Sequence, residues 1–281
     1  KNRILYFLSF LIIKSNYFPT NKLESFLSYF PKFVAKDKSF YKKKILGSYN
    51  NIIPRSKNFN EKFNFVLKNL SNDYSKKIFN IWVNGKAEDI WFNYFQKVQM
   101  QMQYADKVKL NKDSIILNAG VFNGVEILLF DGVKKIYNID PDGKKFLEEE
   151  PLEIVNKSET ENIFIEFPLY KLLDNKNQII NTQVKTLNEI VEENKINRID
   201  LIKSDIEGSE RYMVEDLINL SEKFRPQLAI SIYHKNRGID DKLIDAVEIP
   251  YKLMKSLKNY TYFIEHYSYE RQELILICLP L

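Results

Sequence analysis

The sequence predicts an α/β fold: an open, mainly parallel sheet with helices on both faces, an antiparallel edge and an N-terminal helical extension. Three observations predict it. Short apolar runs of five or six residues alternate with helix-period segments after Lys112. Such alternation builds a parallel sheet by crossover connections. Two final runs, Thr261–His266 and Glu273–Leu279, are separated only by a polar turn, which suits an antiparallel edge.

The elements follow in order. Residues 1–85 read as a mostly helical region broken near Pro19, Pro31, Gly47 and Pro54, and Leu23–Phe30 and Phe63–Leu70 carry apolar residues at helical spacing. Ile4–Ile13 is too short to cross a membrane and is followed by no small-residue cleavage site, so it reads as a buried helix or one resting on a membrane. Asn84-Gly85 closes this region, and residues 86–281 form the second part. Ala87 to about Asp106 reads as one long helix. Strands are expected at Ser114–Ala119, Lys135–Ile139, Asn162–Phe167, Gln183–Lys185, Ile199–Ser204 and Gln227–Tyr233, besides the final pair. Helices are expected at Val125–Phe130, Thr186–Asn194, Ser209–Leu220 and within Asp240–Leu257.

Composition narrows the function. With 281 residues, 44% hydrophobic, the chain can bury a core. One cysteine, Cys278, and two histidines exclude a disulfide framework and argue against a structural zinc site. A reducing, cytoplasmic setting is the natural expectation. Residues 1–112 hold 21 Lys/Arg against 7 Asp/Glu, and residues 113–281 hold 21 against 30. A basic front on an acidic back suits an anionic partner, such as a phosphorylated substrate or a peripheral contact at an inner membrane surface. Of 42 basic residues only seven are Arg, and the basic front half lacks clustered Arg with interleaved aromatics, which speaks against nucleic acid.

Two motifs suggest a ligand site. Asn118-Ala119-Gly120-Val-Phe-Asn123-Gly124 joins a strand to a helix. Gly120 allows a sharp turn, and Gly124 allows the helix to begin close to a ligand. Ligands in such sheets sit at the carboxyl ends of strands. No Walker A run is present. Asp140 ends the next strand, where a carboxylate can accept both hydroxyls of a ribose. A glycine loop followed by an acidic strand end suits an adenosyl cofactor.

The run Ile199-Asp-Leu-Ile-Lys203-Ser-Asp205-Ile-Glu207-Gly208-Ser-Glu210 resembles the FkbM family of S-adenosylmethionine-dependent methyltransferases. Lys185-Thr-Leu-Asn188, Pro226–His234, Ile249-Pro250, Glu265-His266-Tyr267 and Leu279-Pro280 resemble further family segments in the same order, and the family's tail often reads "E-x-x-L-Y-x-x-P". The resemblance covers about residues 113–281. It implies a Rossmann-like class I methyltransferase sheet, S-adenosylmethionine as cofactor, and Asn118, Ala119, Gly120, Asn123, Gly124 and Asp140 as cofactor-binding residues. It implies methyl transfer to an oxygen, with Asp205 or His234 as general base and Glu207 and His266 shaping the acceptor pocket. A divalent cation held by carboxylates near His234 is the other arrangement of these groups. A buried Lys203–Glu207 ion pair fixing the loop is a structural reading of the same run.

Two residues depart from the pattern. Asn118 stands where such enzymes carry Asp or Glu, and Asn188 replaces the Asp of "T-L-D". The resemblance, with the basic front, implies a sugar hydroxyl of a surface-glycan precursor (capsule or lipopolysaccharide) as acceptor. The loss of charge at Asn118 supports an alternative: a non-catalytic glycan- or membrane-associated module on the same scaffold.

Overall fold

The structure is a computed structural model, described here over residues 58–84, 103–105, 107–170, 183–234, 245–267 and 273–281. Seven strands form one sheet: β1 (Ile115–Ala119), β2 (Lys135–Ile139), β3 (Glu161–Ile165), β4 (Leu201–Ser204), β5 (Gln227–Ser231), β6 (Tyr260–His266) and β7 (Leu274–Pro280). Their spatial order is β3-β2-β1-β4-β5-β7-β6. β1 to β5 run parallel, and β7 lies antiparallel between β5 and β6. The order reverses beside β1, which places a crevice at the carboxyl ends of β1, β2 and β4.

The central strands read as unbroken apolar runs because both faces are covered. On one face Leu117, Ala119 and Ile202 join a large core with the helices. On the other, Ile116, Ile136 and Leu201 pack with Phe130 and Tyr104. Asn118, Asn138 and Lys203 lie on this second face, two residues on from Ile116, Ile136 and Leu201, and are fully buried.

The crossover helices are α3 (Val125–Phe130), α4 (Glu149–Lys157), α5 (Leu187–Glu193), α6 (Glu210–Phe224) and α7 (Asp245–Ser256). α5 begins with a capping box, in which the Thr186 side chain accepts from Glu189 N and the Glu189 side chain accepts from Thr186 N. Most expected elements form within two residues of their predicted bounds. α4 was not expected; Pro151 falls in its first turn, where proline is tolerated. Gln183–Lys185 forms no strand: Lys185 makes only an isolated bridge with Leu169. The expectations for Ile4–Ile13, for Leu23–Phe30 and for most of the helix at 87–106 lie outside the described residues.

The helices before residue 85, α1 (Phe59–Asn69) and α2 (Asp73–Asn84), are amphipathic and bury Phe63, Val66, Phe79 and Trp82 in the same core as α7 and β6. The Phe63 and Phe79 rings stack at 5.0 Å. Lys62 pairs with Glu248 of α7 at 2.6 Å. Ser71 N donates to Tyr262 O at 2.8 Å, and Tyr262 N donates to Ser71 Oγ at 2.9 Å. These helices are therefore an integral wall of the sheet domain. Phe79→Ala should cost about 3–5 kcal/mol in urea unfolding and leave one transition. A separate early transition for the helices would contradict the shared core.

Candidate active site

A cavity of about 380 Å³ opens at the carboxyl ends of β1, β2 and β4. Its floor is the turn after β1. Gly120 has φ +79°, and a Cβ there would lie 1.8 Å from the Asp205 carbonyl oxygen. The ladder continues past the strands: Gly120 N donates to Ile139 O and Asp205 N to Ala119 O, each at 2.9 Å. Gly124 also has positive φ, but the atoms nearest to a Cβ there belong to Leu147 and Pro151. That glycine serves the approach of α4 to α3; Gly124 is not part of the cavity lining.

Asp140 lies at the cavity wall and shapes the loop. Its Oδ2 accepts from Val121 N at 2.9 Å and Phe122 N at 3.1 Å, and its Oδ1 accepts from Asp142 N at 2.9 Å. Asn123 also lines the cavity and donates to Glu148 at 3.0 Å. Ala119 is core. Asn118 lies within the sheet, where Nδ2 donates to Asn138 Oδ1 at 2.9 Å, and Asn138 donates to Asn162 at 3.0 Å. Its place under the loop, away from the lining, is set by strand alternation. Asn188 is likewise structural: its Nδ2 donates to Asp216 at 2.7 Å, joining α5 to α6.

Lys203 does not pair with Glu207. Its ammonium donates to the Gly120 carbonyl, lies 3.1 Å from Glu126 Oε1 and sits over the Tyr104 ring. Glu207 instead stands at the cavity mouth, its side chain 73% exposed, on a backbone with φ +55°. A left-handed non-glycine residue is strained, and such strain gathers at functional sites.

The second face of the site is a charge triad. His234 Nδ1 lies 3.0 Å from Glu210 Oε1, and its Nε2 lies 3.2 Å from Asp205 Oδ1. Burial of His234 acts to lower its pKa, but the Glu210 carboxylate and then Asp205 outweigh it and push it up to about 10. His234 is therefore an imidazolium at neutral pH. Burial acts to raise the Glu210 pKa, yet the His234 cation and backbone donors hold it below its usual range. A protonated His234 has no lone pair to take a proton, so it does not fit the general-base role. His266 is buried at the end of β6 and does not line the cavity.

Asp205, Glu210 and His234 present atoms within 4.8 Å of one another, the spacing of a cation site. Both Glu210 oxygens are also engaged by the backbone: Oε1 accepts from Ile206 N at 2.7 Å and Oε2 from Gly208 N at 2.8 Å.

Glu273 completes the cavity and was missed in the sequence. It is half-buried just before β7 with φ +54°. Its Oε2 accepts from Gln103 Nε2, and its Oε1 accepts from the Tyr233 hydroxyl at 3.3 Å. The same hydroxyl lies 3.4 Å from Asp205 Oδ1, and Tyr104 donates to Asp205 Oδ2 at 2.6 Å. Burial, then the Asp205 charge, push the Glu273 pKa up to about 7. The signal was available: Glu273-Leu-Ile-Leu276 matches the opening of the FkbM tail run. Glu126, Asp140, Asp142, Asp205, Glu207 and Glu273 line the cavity, with no Lys or Arg among its described lining.

A seven-stranded sheet in this order, with a glycine turn after β1 and an acidic end on β2, is the class I methyltransferase fold. The methyltransferase FkbM domain matches residues 108–264, and the chain belongs to that family. The crystal structure of methyltransferase FkbM from Methylobacillus flagellatus KT is similar at 17% identity with a TM-score of 0.52, covering 78% of this chain and 58% of that one. Weaker likeness links it to an O-methyltransferase from Bacillus cereus in complex with SAH (12% identity, TM-score 0.40, 83% of this chain and 94% of that one). Aeropyrum pernix fibrillarin with natively bound S-adenosyl-L-methionine is similar at 10% identity and TM-score 0.38, over 60% of this chain and 67% of that one. No protein of curated function matches the chain.

The charge triad predicts a pH dependence. The folded His234 pKa, about 10, lies above the free value of 6.5. The stabilisation is whole below about pH 6.5 and is lost as pH rises toward 10. Stability from urea unfolding should decline over that range by a few kcal/mol at most. His234→Gln should be less stable at pH 6.5 and show a flatter profile. Parallel profiles for the two proteins would remove His234 as the buried cation.

Proposed function

We propose that the protein is an S-adenosylmethionine-dependent O-methyltransferase acting on a sugar hydroxyl of a surface-glycan precursor. The observation that carries this is the acid-lined cavity floored by Gly120 and walled by Asp140. Its volume lies in the range of small-molecule sites, roughly 300–1,000 Å³. Its lining suits a cofactor with a net positive charge. Asp140 Oδ1 takes one backbone donor and retains accepting capacity for a ribose hydroxyl. Phe122 and Phe146, both exposed at the mouth with ring centroids 6.5 Å apart, offer apolar contact.

When bound, S-adenosylmethionine supplies an electrophilic methyl group. The chain's residues supply position and charge. Asp205 is fixed by Tyr104 and the His234 cation and faces the cavity as a negative group. Glu207 stands where an acceptor enters, and an acceptor held in line with the methyl group lowers the barrier through orientation. The carboxylate lining suits a neutral, polyhydroxylated acceptor end. The phosphate of a nucleotide- or lipid-linked precursor would then lie outside the cavity. Among the described residues no helix is long and apolar enough to cross a membrane. Asn118, which raised the non-catalytic reading, is engaged with Asn138 and leaves the lining intact.

Calorimetric titration with S-adenosylmethionine should give micromolar binding, about −8 kcal/mol, and Asp140→Ala should weaken it at least tenfold. A screen of nucleotide-sugars with radiolabelled cofactor should return a neutral sugar. Transfer only to protein or nucleic acid would overturn the glycan assignment.

A further inference from the structure

We propose that Glu273 is the proton acceptor of this cavity, a carboxyl that gives up its proton when the cationic cofactor loads and then takes the proton of the acceptor hydroxyl. This rests on the methyl-transfer reading. Three observations single it out. Glu273 is half-buried and lines the cavity, so its charge state responds to what enters. It shares the Tyr233 hydroxyl with Asp205, at 3.3 and 3.4 Å, so two carboxyls converge on one donor. The backbone holds it at positive φ, on the last residue before β7.

The acid–base groups nearest Glu273 are already committed. His234 carries its proton between Glu210 and Asp205. Asp205 receives the Tyr104 hydroxyl and faces His234. Tyr233 and Tyr104 are raised by burial and by Asp205, so neither ionises near neutrality. Glu273 meets Gln103 from the segment before β1, Tyr233 from the end of β5, and the fields of Asp205 from β4 and of His234. Burial and the Asp205 charge favour its protonated form, while His234 and the two hydrogen bonds oppose them. The balance falls at about 7, where a base is most effective at working pH. A cation entering the cavity would shift it toward the carboxylate. In the transfer Glu273 takes the hydroxyl proton as the acceptor oxygen bonds to the methyl carbon, and the electron pair of the breaking methyl–sulfur bond stays on sulfur.

Proton release on binding tests this without a known acceptor. The wild-type chain is titrated calorimetrically with S-adenosylmethionine in buffers of different ionisation enthalpy, from pH 6 to 8. Release should be at most about half a proton per site at pH 7, vanish toward pH 8 and above, and reach its maximum below pH 7, between the free and the loaded pKa. S-adenosylhomocysteine, whose sulfur is neutral, should release clearly less. Glu273→Gln should bind S-adenosylmethionine with an affinity that no longer rises with pH across this window. The two-ligand comparison uses wild-type protein alone and so stands even if the variant folds poorly. Equal release with both ligands, or unchanged release in Glu273→Gln, overturns the proposal. If wild type binds neither ligand, the methyl-transfer reading itself fails and this assignment falls with it. Once an acceptor is in hand, Glu273→Gln should lower kcat at least a hundredfold, and its cofactor affinity should fall below that of wild type at pH 8 and approach it toward pH 6.

Discussion

A cation buried between two carboxylates holds this site together. The His234 imidazolium lies at the end of β5, Asp205 at the end of β4 and Glu210 at the start of α6. Removing the cation would leave Asp205 and Glu210 as uncompensated charges in a low-dielectric environment, which is far costlier than a lost surface pair. Glu210 carries the constraint further, because its two oxygens gather the amides of Ile206 and Gly208. The tight turn between them, with Glu207 and Gly208 both at positive φ, is held in shape by that carboxylate. One ion cluster thus sets where Asp205 faces and where Glu207 projects.

A second buried cation does the same work beneath the floor. Lys203 is fully enclosed, and its ammonium joins the Gly120 carbonyl, Glu126 on α3 and the face of Tyr104. Tyr104 in turn donates to Asp205. The two clusters therefore meet at Asp205, one from each face of the sheet ends. Residues bonded on several sides have little freedom, and a cavity with pre-set charge needs little rearrangement when a charged ligand arrives. Asn118 belongs to this supporting layer. As a neutral amide it can donate to Asn138, which a carboxylate in its place could not do.

Much of this was legible in the chain. β1, β2 and α3 sit at or within one residue of where apolar runs and glycine placed them, because short buried strands and their turn residues are local features. Asp140 and Asp205 were found as strand-ending acids, and both line the cavity. Glu273 was not, because it lies far along the chain from Asp205. It also begins an ordinary apolar strand, and only the antiparallel insertion of β7 beside β5 brings it to the Tyr233 hydroxyl. The structural reading that pairs Lys203 with Glu207 fails for a related reason: four residues apart in sequence, they diverge because the strand buries one and the left-handed turn exposes the other.

The sequence by itself determined the sheet class, the glycine turn and the acids at the strand ends, since each depends on backbone preference and period within a few residues. Only the tertiary structure decided the charge states. His234 is a cation rather than a base, and Glu273 titrates near neutrality, because burial and through-space fields from distant strands set a pKa. Neither quantity is written in the neighbours along the chain.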